Sequence, residues 1–102
     1  MNTELKLIET TQEDNAVIKL YESEVYQVEI ITTPKRQTLY TQAKIDRLPE
    51  IVSSYDDELD KKVLKIQTVS IGSLTLESFE QHIERQAVAL ETAKQLETIL
   101  GY

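Results

Sequence analysis

There is no cysteine in this chain of 102 residues, and glycine and proline occur only twice each. Without a thiol there is no disulfide, no thiolate nucleophile and no thiolate metal site. Two glycines are too few for a loop that cradles phosphate. Gly72-Ser73 stands alone with no lysine nearby and reads as a plain turn from a strand into a helix. Histidine occurs once, as His82, with no second histidine four residues on, so a metal there would need carboxylates from distant segments. Basic clusters are missing too. Eleven Lys and Arg stand against 18 Asp and Glu, a net charge of −7. Residues 1–45 hold 7 acids and 5 bases, 46–62 hold 6 and 3, and 63–102 hold 5 and 3, so the excess is spread along the chain. Duplex binding draws its affinity from Lys and Arg set against phosphates, and no direct nucleic-acid partner is expected.

Long apolar runs are also absent. No stretch nears the roughly 20 residues that cross a bilayer, and no membrane partner is expected. The first residues, MNTELKLIETTQED, lack a basic start, an apolar run and a small-residue cleavage site, which predicts a soluble, cytoplasmic protein. The apolar share of 40% with 28% charge is an ordinary globular balance, enough for a single domain over 1–102.

What is present is period. The stretch 75–100 holds no Gly or Pro and is dense in Glu, Gln, Leu, Ala and Lys, so it predicts a helix about 37 Å long at about 1.5 Å per residue. Thr75 is its candidate N-cap and Gly101 its stop. Leu76, Phe79, Ile83, Ala87 and Leu90 recur every three or four residues and define the expected core stripe. Lys94 and Glu97 interrupt that stripe, while Val88, Thr92, Leu96 and Ile99 lie on the opposite side. Either the last turns are buried on both sides, or Val88, Thr92, Leu96 and Ile99 meet a partner, with a homodimer as the expected assembly.

Upstream, the alternation is that of strands. Leu5, Leu7 and Ile8 mark a first edge strand that ends in the polar cluster Thr10–Asn15. An antiparallel meander is expected from about 16 to 45. Reading Glu22-Ser23-Glu24 as a three-residue loop sets Leu20 against Tyr26, Ile18 against Val28 and Ala16 against Ile30, all on the core face. A two-residue connection at Pro34-Lys35 sets Ile30 against Leu39, Val28 against Thr41 and Tyr26 against Ala43. The other face, with Lys19, Gln27, Glu29, Gln42 and Lys44, is expected to be wet. Leu48, Ile51, Val52, Tyr55 and Leu59 recur at helical spacing behind Pro49 and predict a short acidic helix over 49–60. Residues 63–71 form a further β-branched strand whose alternation breaks near Gln67.

The expected fold class is therefore α+β, a mainly antiparallel sheet of four to five strands packed against a long C-terminal helix. Catalytic signatures are missing. Asp56, Glu58 and Asp60 imitate the opening of a calcium loop, but the required glycine is Lys61 and the closing glutamate is Gln67, so a solvated helix face is the expectation. No serine has a histidine close in sequence, and no dinucleotide or zinc pattern occurs; no catalytic, cofactor or metal residue is assigned. These features predict a small non-catalytic interaction or accessory module of inhibitor, immunity or assembly type. It would act through an acidic surface or the helix face. The competing reading is a small-ligand or enzymatic domain with a pocket between sheet and helix.

Overall fold

The computed structural model describes residues 1–67 and 72–102. Among these residues six antiparallel strands form two sheets. β1 (Lys6–Glu13), β2 (Ala16–Glu22), β3 (Tyr26–Thr32) and β4 (Gln37–Ala43) make a meander in chain order, and β5 (Glu50–Asp56) pairs with β6 (Lys61–Gln67). The helix α1 (Leu76–Leu100) closes the chain. The α+β class, the meander and the long C-terminal helix are those the sequence implies. The alternation break expected near Gln67 rests on Val69 and Ile71, which lie outside the described residues.

The helix ends are set by local chemistry. Thr75 Oγ1 accepts from the Ser78 N–H at 3.1 Å and Ser78 Oγ accepts from the Thr75 N–H at 3.0 Å, a reciprocal capping box. Gly101 stops the helix at φ 77°, a left-handed conformation that costs glycine nothing.

β3 is the spine of the meander. Tyr26, Val28 and Ile30 are buried on one face, with Gln27, Glu29 and Ile31 half-buried on the other. Its register with β4 is the expected one, Ile30 opposite Leu39, Val28 opposite Thr41 and Tyr26 opposite Ala43, behind a turn in which the Thr33 N–H donates to Arg36 O at 2.9 Å.

The register with β2 differs from the expectation. Ile18 lies opposite Ile31, Leu20 opposite Glu29 and Tyr21 opposite Val28. The turn is not Glu22-Ser23-Glu24 but the pair Glu24-Val25. Ser23 Oγ accepts from the N–H groups of Val25 and Tyr26 at 3.2 and 3.1 Å, and Val25 is driven fully into the core. Burying that valine moves the hairpin along and turns β2 over, so Tyr21 packs on the core while Ile18 and Leu20 face outward. β1 in turn runs through the expected polar turn to Glu13, and the reversal is confined to Asp14-Asn15, with Asp14 at φ 48°.

The short helix over 49–60 is replaced by a hairpin. Ile51, Val52 and Tyr55 are β-branched or aromatic and pair with Ile66, Lys65 and Lys62, and Ser53-Ser54 adds nothing to helix propensity. Asp56 Oδ1 accepts from the N–H groups of Glu58 and Leu59 at 2.9 and 3.1 Å, and Asp60 takes the left-handed position at φ 51°.

One core joins these parts: Tyr26, Val28 and Ile30 from the meander, Ile51 from β5, and Ala89, Ala93 and Leu96 from the helix. Polar clamps set the angle between layers. The Tyr26 hydroxyl donates to Pro49 O at 2.5 Å, and Thr41 Oγ1 donates to Ile51 O at 3.1 Å. Gln95 holds the N-terminal segment twice, accepting from the Leu5 N–H at 2.8 Å and donating to Thr3 O at 2.7 Å.

Candidate interaction surfaces

The four residues assigned to a partner do not form a free face. Val88, Thr92 and Leu96 are buried in the core of the single chain, and Ile99 packs against its margin. Thr92 is accommodated because its hydroxyl donates back to Val88 O at 3.0 Å, leaving no polar group unpaired. The helix is thus rotated by nearly half a turn from the expected setting. Small side chains explain this. Ala89, Thr92 and Ala93 let the helix axis approach the β5–β6 hairpin closely, and Val88 and Leu96 fill the space on either side.

The expected core stripe is therefore on the outside. Leu76 is 76% exposed, Phe79 47%, Ile83 52% and Leu90 49%, with Ala87 exposed between them. A single exposed leucine is unremarkable, but four large apolar side chains in one row along 15 residues of helix make a continuous patch. The row ends where the body of the domain begins, because residues 88–96 carry the buried face. Its borders differ. Glu77, Glu80, Glu84 and Glu91 follow one side at helical spacing, whereas His82 and Gln86 follow the other. This patch was legible as an apolar row, and the alanines at 89 and 93 are the signal that would have turned it outward.

The remaining candidates have structural duties. Asp56 and Asp60 sit at the β5–β6 tip, the first capping the turn and the second accepting from the Tyr55 hydroxyl, which raises the Tyr55 pKa above its ordinary value. Glu58 is exposed at the same tip. His82 is half-buried on α1, and among the described residues no group of three or more His, Asp and Glu side chains could hold a metal ion. Gly72-Ser73 precedes the Thr75 cap as an exposed turn.

Core residues of β3, β5 and α1 meet between sheet and helix, and among the described residues every buried side-chain nitrogen and oxygen has a partner. Shallow concavities lie on the meander and beside it. One of about 380 Å³ opens on the outer face of the meander beside Glu29 and Tyr40, and one of about 350 Å³ runs between β4 and β5. No helix among the described residues is long and apolar enough to cross a membrane.

No protein-family model, curated protein or solved structure matches this chain.

Proposed function

We propose that this chain is a small non-catalytic interaction module that works as a homodimer, paired through the outward stripe of α1. The observation that carries this reading is the apolar row Leu76, Phe79, Ile83 and Leu90, facing away from a core that is already complete without it. Full burial of such side chains stabilises by about 1.5–3 kcal/mol each, and they begin roughly half exposed, so pairing recovers a useful part of that. The spacing of 76, 79, 83 and 90 follows the a/d positions of a helix pair, with the polar Gln86 at the one remaining d position. The borders choose the orientation. With the helices parallel, the glutamate border of one chain meets the His82–Gln86 border of the other, whereas an antiparallel pair would set glutamates against glutamates.

Two substitutions on opposite faces test this. Ile83→Glu is expected to give a folded monomer with an unchanged circular dichroism spectrum, and Leu96→Glu to lose the cooperative thermal transition, because Leu96 is fully buried in the single chain. Light scattering coupled to gel filtration reads the first outcome. An Ile83→Glu chain that still runs as a dimer would remove the stripe from the account.

A further inference from the structure

We propose a second docking surface, separate from the helix stripe: the outer face of the β1–β4 meander, which takes a basic amphipathic helix of a partner protein. Turning β2 over puts Ile18 and Leu20 on this face beside Ile31, all half-buried, with Tyr40 58% exposed at the edge of the cluster. The other face packs on β5 and α1, so this apolar ground has no layer of its own. A sheet face of that kind ordinarily buries itself under a helix.

The charge on the face states what kind of helix. Strand pairing sets Glu9, Leu20, Glu29 and Tyr40 in one row straight across the sheet. Two grooves, of about 380 and 210 Å³, flank this row and share Leu20 and Glu29. Glu29 is half-buried, and its carboxylate takes part in neither of the ion pairs among the described residues, Glu22–Lys44 and Glu91–Lys94. The other charged groups on this face are Glu13 at one end and, at the other, Lys6 and Glu22, the latter ion-paired with Lys44, while Lys19 is opposite Ile30 and points to the core side. The middle of the face is therefore acidic around an apolar centre.

Glu9 and Glu29 stand on either side of β2, about 10 Å apart at two strand spacings, too far to share one metal ion. That separation matches two cations seven residues apart on a helix, at about 1.5 Å per residue, with the apolar residues between them seated on Leu20. An arginine at the Tyr40 end would also lie over an aromatic ring. Negative charge argues against nucleic acid as the occupant. It argues equally against α1 of a second copy, whose stripe is bordered by Glu77, Glu80, Glu84 and Glu91.

The probe is a synthetic amphipathic helix with Lys or Arg seven residues apart and Leu and Ala between them, compared with its scrambled isomer and with a version carrying Glu at the basic positions. Amide NMR of the full chain is expected to show shifts confined to the outer-face residues of β1–β4, with micromolar affinity that falls steeply as salt rises. Glu29→Lys should weaken binding about tenfold or more. Glu9→Lys, on an exposed edge strand where folding is not at stake, should weaken it in the same direction. Equal binding of the scrambled peptide, shifts on α1 instead of the meander, unchanged affinity in Glu9→Lys, or no binding at high micromolar concentration would each overturn the proposal. None of these outcomes depends on whether the chain is a dimer.

Discussion

Tyr26 shows how much a single side chain can hold. It is 1% exposed, and its hydroxyl donates to Pro49 O, tying the central strand to the segment that leads into β5. Burial raises its pKa to about 12 from the ordinary 10.0. A raised acid pKa means that the folded state favours the neutral phenol. Its contribution is complete below about pH 10, where the unfolded tyrosine is also neutral, and is lost as the pH climbs toward about 12. Tyr26→Phe is expected to be less stable by about 1–3 kcal/mol near neutrality, because a buried acceptor loses its donor. The variant should also show a flatter decline of urea midpoint between pH 10 and 12 than the parent. Parallel declines in the two proteins would assign the alkaline loss to other groups. Val28, fully buried beside it, gives a harsher outcome: Val28→Asp should abolish the cooperative melt, and a melting temperature within a degree or two of the parent would refute the strand faces.

Among the elements, those whose signals are local were legible and those decided by packing were not. The β3–β4 register follows from alternation plus a proline turn, and the helix ends follow from Thr75 and Gly101. The β2–β3 register does not, because the turn contains a valine, Val25, whose burial outweighs the polar appearance of Glu22-Ser23-Glu24. The spacing of Ile51, Val52, Tyr55 and Leu59 fits one helix or one strand and its tip equally well. The pairing that decides it comes from Val63, Leu64 and Ile66, a dozen residues downstream. The face of α1 was misread because large apolar residues mark the outward row, while the inward face is built largely from alanine and threonine. A local prediction follows from the cap. Thr75→Ala should cost the helix about 0.5–2 kcal/mol, read as faster amide hydrogen exchange in the first turns after Leu76 with little change in the meander. Uniformly faster exchange throughout the chain would mean that the first half of α1 is part of the global folding unit.

At the scale of the molecule, the chain is flat and long, 51 × 34 × 19 Å, with a radius of gyration of 15.1 Å. A typical chain of this length has a radius near 13 Å, and the excess reflects a broad meander, a hairpin and a long helix joined by a small core. An elongated two-layer body of this kind has much outside surface for its volume. Two parts of that surface are apolar, the α1 stripe and the outer face of the meander, and each has its own charged border. Sedimentation equilibrium of the unmodified protein, from low to high micromolar concentration, tests the dimer directly. The expected result is a species of twice the 11.7 kDa chain mass that dissociates on dilution. A mass of 11.7 kDa throughout that range would contradict it.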